Sequence, residues 1–438
     1  MSLSCEKTMT TEKKYKRNKN IKYLSCHQVV KFNSKHVGME LSPNTPITVE
    51  NFEPTQRFLR IAVVTETWPP EVNGVAVTLA KLVHHLGLRH HTIQLIRPRQ
   101  DKHDEGQVQS GWSELLLRGL PIPRYPQLKL GLPSKKALLK AWSTKRPDLV
   151  HIATEGPLSW SALQAAHILR LPVTSDFRTN FHSYCQHYGV GWLSKPIVAY
   201  LRKFHNRTAF TMVPTQAMKY QLEALGFKNL KVVARGIDTQ MFHPSNRSDV
   251  LRDSWGASPE TIVLLSVGRL AAEKNLDLTL QTYQTLMAAG RPVKMVFAGD
   301  GPMRATIEAK CPDAVFAGMC THEQLAHLYA SADLLLFPSL TETFGNVTLE
   351  ALSSATPVLA FDCAAAGEFI SDRKNGWLVN RDDPQAYVHR ALEITRDKHT
   401  LMQAREFTRP SIEHLGWDEI AGQAEVIFHR AIEIGQRS

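Results

Sequence analysis

FLRIAVVTETWPPEVNGV, residues 58–75, places a short apolar run ahead of a proline pair, a polar loop and a glycine. Ile61 to Val64 carries no polar residue, so both faces of this segment are expected to be covered, as in a strand of a buried parallel sheet. Pro69-Pro70 ends the run, and Glu71-Val72-Asn73-Gly74 leads into VAVTLAKLVHHL (75–86), whose apolar residues recur at helical spacing. A strand, a loop with one glycine and a helix form the repeating piece of an α/β domain.

The piece repeats outward. TIQLIRP (92–98), DLVHIA (148–153), PVTSDF (172–177) and FTMVP (210–214) read as strands, with helical PSKKALLKAW (133–142) and SWSALQAAHIL (159–169) between them. A second series opens at TIVLLSVGRL (261–270). It continues through NLDLTLQTYQTLMAAG (275–290), VKMVFAGDGP (293–302), AVFAGMC (314–320), DLLLFPS (333–339) and PVLAFD (357–362). The alternation predicts α/β architecture with two doubly wound domains, at 57–236 and 237–410, joined through turn-rich GIDTQMFHPSNRSD. Residues 411–438 hold an amphipathic segment able to pack across either domain. Residues 1–56 show no sustained periodicity and are expected to be a disordered basic extension.

The 438 residues suffice for two or three domains, and 43% hydrophobic with 21% charged residues describes a soluble globular chain. No apolar run reaches membrane-span length, and the N-terminus has no signal-peptide core. Six cysteines are scattered without metal spacing, which points to reduced thiols in the cytoplasm. The net charge is +11, and residues 1–35 alone carry nine Lys or Arg against two Glu. Such a surface attracts phosphate-bearing molecules. Nucleic acid is set aside, since no recognisable module or interleaved aromatics accompany the charge.

In open α/β sheets ligands bind beyond the carboxyl ends of the strands, so chemistry is sought just after each apolar run. Asn73 and Gly74 follow the first run, where a glycine lets backbone amides approach a phosphate, or simply serves a tight turn. Arg269 and Lys274 follow another. Two cations there could neutralise a diphosphate, or belong to a solvated loop with Glu273 pairing locally. Gly299 sits in the next glycine-rich turn, and Met319 at the strand end after that. In SLTETFGNVTLEAL (339–352), Glu342 follows a strand, Phe344-Gly345-Asn346-Val347 opens a helix, and Glu350 falls near its third or fourth residue. The amides of that helix start are an anion site. The two glutamates read as a clamp on one ligand or as ordinary caps, and no Asp or His beside them suggests a metal. DFRTNFHSYCQHYG (176–189) places Arg178 and His182 after a fourth strand, as a substrate wall or as surface residues.

Taken together and in order, P-P-E-x-N-G-V (69–75), G-R-x-x-x-x-K (268–274), G-D-G-P (299–302) and P-S-x-x-E-x-F-G-x-x-x-x-E-A (338–351) resemble the family 4 retaining glycosyltransferases of the GT-B fold. The resemblance spans about residues 58–410 and is similar in detail to bacterial GDP-mannose-dependent α-mannosyltransferases. It implies two Rossmann-like domains facing across a cleft, with acceptor on the N-terminal one, donor on the C-terminal one, and a final helix crossing back. It implies a nucleotide-sugar donor, no metal and no other cofactor. Gly74 would approach the donor phosphate, and Arg269 and Lys274 would hold the diphosphate. Glu342 would bind sugar hydroxyls beside the amides of Phe344, Gly345 and Asn346, and Glu350 the ribose. The acceptor would be a carbohydrate or lipid hydroxyl.

One residue departs from the pattern. Where the family often places a histidine facing the sugar, Phe177-Arg178-Thr179-Asn180-Phe181 carries Arg178. Arginine cannot act as a base, although it can hold a phosphate or sugar oxygen. Two further readings stand beside the mannosyl one: UDP-sugar transfer to diacylglycerol, and a non-catalytic nucleotide-binding scaffold. The alternation of basic and apolar residues in PSKKALLKAWSTKR (133–146) is also that of a helix lying on an anionic membrane, or of a surface helix covering the sheet.

Overall fold

The apolar runs pair as parallel strands in a computed structural model that describes residues 58–71, 74–122, 125–178, 194–342 and 344–437. The extension 1–56, Asn73 and His182 lie outside the described residues. In chain order the first half contains β1 (Arg60–Val64), α1 (Gly74–Leu88), β2 (Thr92–Pro98), β3 (Val108–Gln109), β4 (Trp112–Leu117), β5 (Gly119–Ile122), β6 (Tyr125–Gly131), α2 (Lys135–Thr144), β7 (Leu149–Ile152), α3 (Pro157–Ile168), β8 (Val173–Asp176), α4 (Ser194–His205), β9 (Phe210–Val213), α5 (Gln216–Ala224) and β10 (Leu230–Val232). The strands form a sheet ordered β10-β9-β8-β7-β1-β2-β4-β3, with β5 and β6 in a separate two-stranded ribbon. Ile61 to Val64 are fully buried in its centre, with β2 and β7 paired parallel on either side.

The second half contains α6 (Asp249–Ser254), β11 (Ile262–Val267), α7 (Leu276–Ala288), β12 (Val293–Ala298), α8 (Arg304–Lys310), β13 (Val315–Gly318), α9 (His322–Ser331), β14 (Leu334–Phe337), α10 (Asn346–Ser353), β15 (Val358–Phe361), α11 (Ala364–Phe369), β16 (Gly376–Val379), α12 (Pro384–Ile394), α13 (Lys398–Thr408) and α14 (Trp417–Arg437). Its sheet runs β13-β12-β11-β14-β15-β16, all parallel. That is the Rossmann order, whose topological switch point falls between β11 and β14. In the first sheet the corresponding reversal falls between β1 and β7. The loops after these four strands therefore face the crevices where ligands bind.

In the second sheet β11 to β15 fall where the sequence reading placed strands, and β16, a four-residue strand, is one it did not mark. The first half departs further, because β3 to β6 lie in a stretch that was read as no strand at all. β3 and β4 are exposed or half-exposed, and β5 and β6 pair apart from the main sheet, so no continuous apolar run marks them.

α14 returns to the first sheet. Ala421, Ala424, Phe428 and Ala431 are buried along one stripe of it, and the small residues let it approach α1 closely. Arg89 fastens the crossing, donating to Glu425 at 2.9 Å and to Asp418 at 3.1 Å. The joint between the halves is closed by Trp417, whose ring leaves no room for a side chain at Gly236 and stacks on His85 at 6.5 Å.

α2 turns its apolar residues inward. Leu138 and Trp142 are buried, and the Trp142 indole donates to Gln94 at 3.0 Å. Lys135, Lys136 and Lys140 occupy the exposed face. The basic and apolar alternation in this segment is thus that of a helix covering a sheet, with charge and no large apolar side chains left for a membrane. Among the described residues no helix is long and apolar enough to cross one.

Candidate active site

Both switch points carry the residues singled out in the sequence. After β11, Gly268 has φ +138° and Gly299, after β12, has φ +129°, conformations that favour glycine. A methyl at Gly299 would overlap the Gly268 carbonyl, and one at Gly301 would overlap that of Leu270. The G-D-G-P turn is glycine-rich because two strand-end loops pack backbone to backbone, which in turn fixes the entry to the Arg269–Lys274 segment.

The two cations of that segment differ. Arg269 is paired with Glu273 on its own loop, and its side chain is 55% exposed. This is the local pairing that stood as the alternative to a direct place in the crevice. Lys274 crosses instead to Glu342, after β14, and its ammonium lies 5.5 Å from the Phe337 ring centroid. Glu342 also accepts from the Ser339 hydroxyl at 2.8 Å. Two residues given separate tasks in the sequence reading are thus one partly buried ion pair, bridging the two strands of the switch point.

Gly345 caps α10 with φ +87°, where a side chain would press on Phe337. Asn346 is therefore the first residue of the helix and Glu350 the fifth, rather than the third or fourth. That places the Glu350 carboxylate a full turn in. It is partly covered and accepts from the buried Tyr329 hydroxyl at 2.8 Å. Burial raises its pKa from 4.5 to about 7, against the hydrogen bond, which lowers it. Phe344 is buried against Phe369 at 6.1 Å, so only its backbone can face a ligand, and Val347 packs against the same core. Met319 is 74% exposed beyond β13.

On the facing sheet, Gly74 is the first residue of α1. Arg178 follows β8 and donates through Nε to Asp176 at 2.5 Å, while His151 Nε2 lies 3.3 Å from the same carboxylate oxygen. Burial raises the Asp176 pKa, but Arg178 and His151 outweigh it and hold the carboxylate at about 2. Arg178 is therefore anchored through this ion pair. His151, on the neighbouring strand β7, shares this carboxylate with Arg178, and the sequence reading did not select it.

Arg235 was also not selected, and the structure brings it into the same space. It donates through Nη1 to Asn346 Oδ1 at 3.2 Å, and its guanidinium carbon lies 5.4 Å from the Phe344 ring centroid. It follows β10, a three-residue strand that the sequence reading did not mark, so the strand-end rule had no strand there to act on. Among the described residues no cluster of three His, Cys, Asp or Glu side chains converges as a metal site. A cavity of about 810 Å³ opens at the start of α3, lined by Lys135, Lys136, Trp160 and Tyr200 among others.

Comparison with known proteins covers both halves. Residues 72–241 match the model of Glycosyltransferase Family 4, and residues 261–397 that of Glycosyl transferases group 1. The chain is 31% identical to a GDP-mannose-dependent alpha-mannosyltransferase of Mycobacterium tuberculosis, over 85% of this chain and 98% of that one. It is 29% identical to the sulfoquinovosyl transferase SQD2 of Arabidopsis thaliana, over 68% of this chain and 60% of that one. Among solved structures, sucrose-phosphate synthase from Thermosynechococcus elongatus superposes with a TM-score of 0.67 at 17% identity, covering 86% of this chain and 100% of that one. Anabaena HepE in complex with UDP and glucose superposes with a TM-score of 0.63 at 17% identity, covering 84% and 99%. With two Rossmann-like halves, strand-end motifs at both switch points and a mannosyltransferase relative matched along nearly its full length, this chain belongs to the family 4 glycosyltransferases and has the GT-B fold.

Proposed function

We propose that the chain transfers mannose from GDP-mannose to an acceptor hydroxyl with retention of the α configuration, without a metal. The observation that carries the reading is the Lys274–Glu342 pair at the switch point of the second sheet, in a chain whose near-full-length relatives are named GDP-mannose-dependent mannosyltransferases. The donor's diphosphate lies over Lys274 and Arg269, which stabilise the charge that develops as the phosphate leaves. Glu342 accepts from sugar hydroxyls beside the α10 amides, Glu350 from the ribose, and Gly74 lets the N-terminal half come close. The C1–O bond to phosphate breaks and the C1–O bond to the acceptor forms on the same face, with the acceptor proton passing to the departing phosphate oxygen. No side-chain base is required, which fits Arg178 standing where the family often has histidine.

UDP-sugar transfer to diacylglycerol is the second reading, favoured by SQD2 and by an alpha-monoglucosyldiacylglycerol synthase of Streptococcus pneumoniae at 27% identity. We place the enzyme in the cytoplasm, with the Lys135, Lys136 and Lys140 face of α2 resting on anionic lipid. The deciding experiment is transfer from labelled donors in EDTA, with GDP-mannose, UDP-glucose and UDP-sulfoquinovose in parallel. Turnover from GDP-mannose is expected. Turnover from a UDP-sugar alone, or strict dependence on added metal, would overturn the corresponding part.

A further inference from the structure

We propose that Arg235 binds the diphosphate of the nucleotide-sugar donor, as a third cation beside Lys274 and Arg269. The proposal rests on the nucleotide-sugar reading above. It starts from burial: Arg235 is only 7% exposed. A buried guanidinium needs a counter-charge, because removing it from water is costly unless an anion replaces the lost hydration. Among the described residues no carboxylate forms an ion pair with Arg235, and its Nε has no hydrogen-bond partner. Among the described residues its side-chain hydrogen bond is to the neutral Asn346.

The carboxylates near enough to attract it are Glu342 and Asp176, and each already holds another cation. Arg178, beyond β8 of the same sheet, adds like charge, and with burial as the larger cause the Arg235 pKa falls to about 10.

Its position compounds the deficit of negative charge. Nη1 contacts the first residue of α10, and a methyl group at Gly74, the first residue of α1, would lie 3.7 Å from the same nitrogen. Helix starts carry partial positive charge and unpaired amides. A guanidinium without a counter-ion, set between two helix starts and near Lys274 through Glu342, favours an anion of more than one charge. A diphosphate meets that description. An anionic substituent on the donor sugar, such as a sulfonate, is the other source of the same chemistry.

The test uses the full chain with Arg235→Gln, which keeps a donor for Asn346, and Arg235→Met if the first does not fold. Calorimetric affinities are compared for GDP and GMP, with UDP and UMP in parallel. The neutral variant is expected to lose about 10- to 100-fold in nucleoside diphosphate affinity, the range for a hydrogen bond to a charged group, and much less for the monophosphate. Arg235→Lys is expected to recover part of the loss. An unchanged diphosphate affinity overturns the proposal, as does equal weakening of di- and monophosphate, which a purely structural role would give. Loss confined to a sulfonated UDP-sugar, with UDP itself unaffected, also overturns it in favour of the sugar substituent. Preference of the wild type for UDP fails the guanine reading alone, since the comparison then stands on UDP and UMP. Binding of neither nucleotide overturns both.

Discussion

Replacing Glu350 with glutamine tests whether its carboxylate is held near neutrality for a ligand. Its pKa moves from 4.5 to about 7 because burial disfavours the charged form more than the Tyr329 hydroxyl favours it. The sign follows from proton linkage. Below the lower value both folded and unfolded chains are protonated and Glu350 contributes nothing. Between the two values the folded chain holds a proton that the unfolded chain releases, so stability falls as pH rises; above about 7 the full cost is present. A displacement of this size corresponds to about 3 kcal/mol, an upper bound because the carboxylate is partly accessible. Glutamine stays neutral and its carbonyl can accept from Tyr329. The Tm of Glu350→Gln should therefore match wild type at about pH 3.5, exceed it increasingly up to about pH 7, and hold that lead above it. Glu66, raised to about 7 chiefly by burial, titrates in the same window but is common to both proteins and cancels in the difference. Donor affinity gives the second readout. Ribose hydroxyls donate to an ionised carboxylate, so wild-type affinity should rise through pH 7 while the variant stays weaker and flat. A Tm difference independent of pH would refute the buried-carboxylate argument. Donor binding unaffected by the substitution would remove Glu350 from the ribose.

Lys274→Met should lower turnover by about 100- to 1,000-fold, the loss typical of removing one electrostatic stabiliser of a developing oxyanion. Because the pair with Glu342 is partly buried, a stability loss of about 1–2 kcal/mol should accompany it, below the range for a fully buried pair. Turnover equal to wild type would exclude Lys274 from the leaving-group site. Vesicles rich in anionic lipid should carry the wild-type chain upward on flotation at low salt and release it at high salt. Changing Lys135, Lys136 and Lys140 together to serine should abolish this, and flotation insensitive to salt or to that change would remove α2 as the contact.

Much of the molecule was legible from one dimension. The parallel strands β1, β2, β7, β8, β9, β11, β12, β14 and β15 declare themselves because a strand buried on both faces must be continuously apolar. β3 to β6 were invisible because an edge strand or ribbon needs no such run. Gly74, Lys274, Gly299, Glu342 and Glu350 were reachable because ligands of open α/β sheets lie at strand ends, a rule that needs only the strands.

The pairing of those residues was another matter. Sequence order places Lys274 and Glu342 far apart, and only the reversal of strand order between β11 and β14 brings them together. Whether a charged group is neutralised also depends on neighbours from other elements: Lys274 on Glu342, Asp176 beside His151, Glu350 under Tyr329. Arg235 is the clearest instance. The short strand it follows was not marked in the sequence, and its burial between two helix starts, with no carboxylate partner among the described residues, follows from the docking of the two halves. The chain by itself determined which elements form and where a nucleotide-sugar enzyme would keep its charged residues, because periodicity and strand-end position are local properties. The tertiary structure decided which charges meet, because burial and counter-charge are properties of space between elements.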